Sequence, residues 1–459
     1  MISVALLFTL LFLLVLLLLM YRGDFAEPSV LFVLGFILST FNGLTNYQAW
    51  NFNLSLQTYV VVVIGALLFL VTSYAVKSSF HAVMFGRKRP REYKKPCNIT
   101  LPLWVYIAGL LFTCLSLLIV SRHVIAVTLP YGGNGSLSQA IGLYDKVNKF
   151  STKSVGISGL ASLMCLSVNA MAYVWLFLAM RSFVIQTLKK DYLALVNVLA
   201  TVPMTLMLGG RNTLIQLGVA IFTYWLLFRR QNNNWKSTRL RFRTVAWCIV
   251  AIAISLISFK PLLSLMGRKT DATSTYEYLS IYIGASLKNL DAFLTNSMNP
   301  ALAVGPTQWG DMTLASTRAS FPQLFGKTTI DWMRWQPFQR YNGEELGNVF
   351  TTYYAFIFDW GFIGAMVAIV LIAALSQLCY ENVVYALQYG TSGVPLSMML
   401  YGAIGYCCAF SFFSNRWFST MFNQIMLKDI VIWIALIVFI KKVCNQNFGT
   451  KKAKRLGRE

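Results

Sequence analysis

Apolar stretches of near-spanning length recur along the whole chain, and no other feature constrains its fold as strongly. The first, Ile2 to Met20, carries no charged residue. A hydrocarbon core about 30 Å thick is crossed by roughly 20 apolar residues in helical form. A helix also satisfies its own backbone hydrogen bonds where water is absent. The pattern predicts eleven spans, over 2–20, 29–41, 58–76, 101–120, 157–180, 192–208, 212–228, 244–259, 349–377, 396–413 and 429–443. The ninth is long and is read as beginning with a re-entrant or surface segment. Charged residues make up 12% of the chain, half the roughly 25% usual in soluble domains. Ile2–Met20 lacks a basic leading region and an Ala-x-Ala cleavage site, so it is read as a retained helix and not as a signal peptide.

The net charge of +23 suggests nucleic acid until the charges are placed. Three strongly basic segments stand out. One is 77–95, with Lys77, Arg87, Lys88, Arg89, Arg91, Lys94 and Lys95; the others are 229–243 and 441–459. Four spans separate each from the next, so all three fall on one side. Lys and Arg concentrate on the cytoplasmic side of membrane proteins. The expected orientation therefore has the N-terminus outside and the C-terminus inside. Topology accounts for the positive charge, and nucleic acid is excluded as a partner.

The chain divides into N-terminal spans (1–259), a long outer loop (260–348), C-terminal spans (349–443) and a basic tail (444–459). In the loop, Leu279, Ile283, Leu287, Leu290 and Leu294 repeat at helical spacing. This predicts a short helix lying on the membrane surface with that stripe turned down. None of the eight cysteines falls in an outer segment, so no disulfide is expected there. With two histidines, His81 and His123, and no Cys-x-x-Cys pattern, no metal site is expected. No cofactor motif is present.

The residues that carry chemistry lie on the outer side. Arg211 follows Gly209-Gly210 in a tight turn between two spans, against the orientation rule, and an ionisable residue at such a depth is a functional candidate by default. The loop holds Arg268, Arg318, Arg334 and Arg340, with Trp335 and Tyr282 interleaved. Arginine's planar fork grips diphosphate through two hydrogen bonds, and flat rings cover the C–H faces of sugars while their polar tips stay wet. The same composition also fits a plain interfacial belt of Trp, Tyr and Arg. Asp359 is a deep charge that either pairs with an arginine, caps a helix near Gly361 or acts in catalysis. Arg416 follows the tenth span on the outer side. Asp291, Glu344 and Glu345 are candidate bases.

Gly347-Asn348-Val-Phe-Thr351 followed by Asp359-Trp-Gly361-Phe-Ile-Gly364 resembles the pattern of the O-antigen polymerase family, the membrane polymerases of oligosaccharide repeat units. Gly209-Gly210-Arg211 resembles its small-residue-plus-arginine element, and Tyr282 to Asp291 resembles the start of its large periplasmic loop. The resemblance covers roughly the second half of the chain. Some members pair two Arg-x10-Gly elements, a spacing absent here. The resemblance implies an all-α polytopic fold similar to the C-type membrane glycosyltransferases, in the bacterial inner membrane. The activity implied is metal-independent transfer of a growing glycan from undecaprenyl diphosphate onto a new lipid-linked repeat unit. Donor and acceptor are then both undecaprenyl-diphosphate-linked glycans, with membrane lipid and a chain-length regulator protein as further partners. Arg211, Arg334, Arg340 and Arg416 become the candidate catalytic residues. Tyr282, Asp291, Arg268, Arg318, Trp335, Asn348, Thr351 and Asp359 become the substrate-binding candidates. Two rival readings are an O-antigen ligase, which is expected to use a histidine in the large loop where 260–348 has none, and a polysaccharide flippase.

Overall fold

The structure, a computed structural model, describes residues 1–85, 99, 101–150, 156–157, 159–185, 188–208, 212–236, 275–295, 309–325, 336–389 and 393–456. The described chain is mostly helical. Its helices are α1 (Ile2–Met20), α2 (Pro28–Thr45), α3 (Tyr47–Trp50), α4 (Leu56–Phe85), α5 (Leu103–Thr128), α6 (Leu137–Phe150), α7 (Gly159–Val184), α8 (Leu188–Leu206) and α9 (Asn212–Asn232). After these come α10 (Thr275–Leu294), α11 (Ala315–Ser320), α12 (Pro322–Phe325), α13 (Thr352–Tyr389), α14 (Leu396–Ala409), α15 (Arg416–Met421) and α16 (Gln424–Leu456). Among the described residues six helices are long and apolar enough to cross a membrane: α1, α2, α4, α5, α7 and α13. The apolar parts of α8 and α14 are shorter. The expected span at 244–259 lies outside the described residues.

α1 shows why these segments belong in lipid. Only Leu6, Leu10, Leu13 and Leu17, a stripe at helical spacing, and Ser3 are buried. Its other face exposes Phe8, Phe12 and Leu19. Only 28% of this uncharged, mostly apolar window is covered by protein, and the remainder suits hydrocarbon. α2 is the central helix and packs against α1, α4, α10, α13 and α14. Pro28 opens it, with the preceding Glu27 extended as a residue before proline prefers. Phe32 stacks on Phe69 of α4 at 4.5 Å, and Phe36 meets Tyr353 of α13 at 5.5 Å. A second, smaller apolar cluster joins α5, α6, α7 and α8.

Two expectations need correction. α10 does form over the predicted stripe, but it is no surface helix. It is buried on every side from Gly284 to Ala292. A methyl group on Gly284 would come within 2.5 Å of Asn42 Oδ1 and 2.9 Å of the Gly43 nitrogen, so the glycine admits a close approach to α2. The polar residues beside the stripe are bonded inward. Ser286 meets Ser39 at 3.5 Å, and Asn289 donates to the carbonyls of Leu346 and Val349. Second, the loop is not purely helical. Gln339–Tyr341 (β1) pairs antiparallel with Glu344–Gly347 (β2). Asn342 and Gly343, both at positive φ, close a two-residue hairpin, the turn that Asn-Gly favours.

The ninth predicted span is a broken helix. Gly361, at φ 68 and ψ −172, interrupts α13. Its first arm is packed inside the bundle, where the Tyr353 hydroxyl donates to the Val62 carbonyl within α4. Beyond the break, Phe362 and Ile363 turn outward.

Candidate active site

The end of the bundle where α2 stops, α4 starts and the hairpin sits is here termed the loop end. α10, the hairpin, the 347–352 segment and the 410–418 turn converge there. The Tyr282 ring of α10 stacks on Phe413, centroids 5.9 Å apart and planes within 13°. The Arg416 guanidinium lies over the same Phe413 ring at 4.7 Å. The Tyr278 and Tyr282 hydroxyls are 3.2 Å apart. The result is a continuous array of Tyr278, Tyr282, Phe413 and Arg416.

The turn that presents Arg416 is fixed from below. Asn415 caps α15 through the Phe418 amide and donates to the Thr313 carbonyl at 3.0 Å. Arg416 is half-buried, and its Nε has no hydrogen-bond partner. Beside the array, Tyr278, Ile281, Tyr282, Phe338, Glu345, Gly347, Asn348 and Val349 line a small cavity of about 120 Å³. Asn289 holds its floor by anchoring β2 and Val349 to α10. Thr351, next along, is buried with an unbonded hydroxyl. The amide of Thr352 donates to the Ser411 carbonyl at 2.8 Å, tying this segment to the Arg416 turn. The fold thus brings Tyr282, Asn348, Thr351 and Arg416 to one place.

The other described candidates are engaged in holding the scaffold. Asp359 accepts from the amides of Met312 and Thr313. It therefore caps the turn leading to α11, rather than pairing with an arginine or capping the helix after Gly361. Arg318 pairs with Asp311 at 2.6 Å, both buried. Asp291 accepts from the Ser55 amide and the Thr58 hydroxyl at the start of α4. Lys288 lies 3.8 Å from Asp291 and over the Tyr341 ring; burial holds its ammonium below the usual lysine range, and Asp291 opposes that shift. Arg340 pairs with Glu345 across the hairpin, both exposed. Arg211, Arg268, Arg334 and Trp335 lie outside the described residues. Among the described residues no cluster of metal-ligating side chains occurs.

The opposite end of the bundle holds a buried ionic cluster. Asp24 pairs with Arg230 of α9 and accepts from the Tyr380 hydroxyl of α13. Glu27 meets Lys77 of α4 at 3.5 Å and Gln377 at 2.7 Å. Glu381 bonds His81 at 3.0 Å and Gln377 at 3.0 Å. Three carboxylates taken out of water here require these partners. Lys77 and Arg230 read in the sequence as orientation charges alone. The acids between them, in the 21–27 turn and at 381, were the signal that they are also clasps.

No family model, curated protein or solved structure matches the chain.

Proposed function

We propose that this chain polymerises undecaprenyl-diphosphate-linked oligosaccharide repeat units at the periplasmic face of the bacterial inner membrane. It crosses eleven times, with its N-terminus in the periplasm and its C-terminus in the cytoplasm. The observation that carries this reading is the array of Tyr278, Tyr282, Phe413 and Arg416 beside the Asn348 cavity. Aromatic faces suit the C–H faces of a glycan. A guanidinium suits the diphosphate, whose negative charge grows as it departs, and stabilises it without a metal. Arg211 and Arg334 are proposed as further diphosphate ligands. Asn348 of the resemblance motif lines the same cavity as Tyr282 of the loop-start motif, though they are far apart in sequence.

The packing supports the orientation as well. Lys77 and Arg230, which open two of the basic segments, converge on one acidic cluster. A side chain at Gly393, just past α13, would lie against Lys441, which opens the third. All three basic segments then leave the bundle at the same end, away from the array.

Deleting the gene tests this reading. Single-repeat lipid-linked glycan is expected to accumulate on the periplasmic side while long chains disappear. The buried charges at the basic end favour one other reading, a flippase, because transporters carry charged sites within the bundle. Retention of the lipid-linked repeat on the cytoplasmic side would establish that reading instead.

A further inference from the structure

We propose that a groove between α5, α7 and α16 holds an acyl chain of an anionic glycerophospholipid, drawn from the leaflet at the basic end of the bundle. The groove shares no residue with the aromatic array or its cavity, and the proposal does not depend on the polymerase reading.

The groove has a volume of about 200 Å³. Ala108 and Gly109 of α5 leave the space, and Met171, Trp175, Leu436 and Phe439 wall it from α7 and α16. A methyl group on Gly109 would come within 2.5 Å of the Trp175 ring, so the glycine seats that indole against α5. Toward the basic end, Trp104 meets Phe439 edge-on, centroids 5.9 Å apart. Trp104, Ala108 and Phe439 are exposed, so the groove opens on the flank of the bundle. Every lining side chain is apolar except for the two indole nitrogens. Such walls suit hydrocarbon and disfavour a sugar or a free anion.

The first sign of a particular lipid is a donor with nothing to bond. Trp175 is 5% exposed, and its Nε1 has no hydrogen-bond partner. Asn197 Oδ1, the acceptor on the other side of Gly109, is unbonded as well, so the two do not satisfy each other. A buried N–H among apolar walls is unfavourable until an acceptor reaches it. A polyprenyl chain carries none. A glycerophospholipid carries ester carbonyls at the head of its acyl chains.

The second sign is a cation at the groove's basic end. Lys442 is exposed, and it follows Phe439 by three residues, which puts both on one face of α16. Phe439 is level with Trp104, and Trp175 lies beside Gly109, five residues further into α5. At 1.5 Å per residue, Lys442 and Trp175 are about 12 Å apart along the bundle axis. A phospholipid in the groove then sets its phosphate near the ammonium and an ester carbonyl below it, toward the indole. Basic positions beside clefts between spanning helices recognise anionic headgroups in this way, and a lysine stem carries its charge up to the headgroup level.

The test incubates purified full-length protein in detergent with phosphatidylglycerol, phosphatidylcholine or undecaprenyl phosphate, and reads bound lipid by native mass spectrometry. Wild type is expected to hold phosphatidylglycerol about fivefold more tightly than phosphatidylcholine, the contribution of one lysine beside an anionic headgroup. Lys442→Gln should make the two equal. Trp175→Phe keeps a ring but removes the N–H, and should weaken both phospholipids by about 2–10-fold while leaving undecaprenyl phosphate unaffected. Ala108→Trp, at an exposed position, should fill the groove and abolish binding of both. A second measurement needs no variant: phosphatidylglycerol with a photoreactive acyl chain should crosslink to α5 and α16 of the wild-type protein. Equal affinity of wild type for the two phospholipids would overturn the proposal. So would undiminished binding in Ala108→Trp, tighter retention of undecaprenyl phosphate than of phosphatidylglycerol, or crosslinks confined to other helices.

Discussion

Phe413 organises the loop end although it bears neither a charge nor a hydrogen-bonding atom. Its ring stacks with Tyr282 and receives the Arg416 guanidinium. A cation over an aromatic face is worth about 0.5–2 kcal/mol, the more so when water is excluded. In the proposed reaction that contact would hold Arg416 ready for the departing diphosphate, which preorganised charge stabilises. Losing one such donor lowers turnover by about 10²–10³-fold. Arg416→Ala is therefore expected to reduce chain extension by about two orders of magnitude, with circular dichroism unchanged. Arg416→Lys should recover only part, since an ammonium lacks the planar fork. Ladder formation at the wild-type rate in Arg416→Ala would contradict the role. Arg416 and Tyr282 were legible in the sequence, the first as an arginine following the tenth predicted span on the outer side, the second inside a motif. Phe413 was not, because one phenylalanine among 33 in an apolar chain carries no distinguishing signal. Asp291 and Asp359 were legible as unusual charges, but their occupation was not. Their partners lie 236 and 47 residues away, beyond any local pattern.

Among the elements, α10 shows where hydropathy stops informing. Its stripe located the helix, yet the same stripe implied a wet opposite face. That face is instead bonded through Ser286, Asn289 and Asp291 to α2, the hairpin and the start of α4. Periodicity cannot distinguish a polar residue in water from one satisfied by protein. The Asn342-Gly343 hairpin is the converse case, a plain turn signal in a segment to which the sequence reading assigned no element. The break in α13 depends on Gly361. A side chain there would meet nothing within 4 Å, so any penalty comes from backbone conformation alone. At φ 68 and ψ −172 the residue occupies a region essentially restricted to glycine, where others are strained by about 1–3 kcal/mol. Gly361→Ala is expected to lower the detergent melting temperature and to weaken the Asp359 contacts with Met312 and Thr313, read as faster hydrogen exchange at those amides. Unchanged melting and exchange would show that the break does not need glycine.

The molecule as a whole is tied at both ends, by the aromatic array at one and by the ionic cluster at the other. Removing one member of a buried ion pair is destabilising by about 3–5 kcal/mol, because the other charge is left uncompensated. Arg230→Ala should therefore destabilise strongly in detergent melting, and Asp24→Asn with Arg230→Met should destabilise less than Arg230→Ala. Equal losses would argue against a coupled pair. The long apolar helices were legible, because the bilayer writes them into composition. The convergence of Asp24, Glu27, Lys77, Arg230 and Glu381 was not, since it depends on how three helices and a turn pack. Sidedness is tested by single cysteines placed at exposed Glu344 and at exposed Val83 in a variant lacking the eight native cysteines. A membrane-impermeant maleimide applied from the periplasm is expected to label position 344, and position 83 only after lysis; the reverse pattern would invert the topology. The most direct measurement is to supply the liposome-embedded protein with single-repeat lipid-linked glycan from the deletion strain and to follow product length. A ladder of two, three and more repeats with release of undecaprenyl diphosphate is the expected result, and recovery of the glycan unextended would contradict the account.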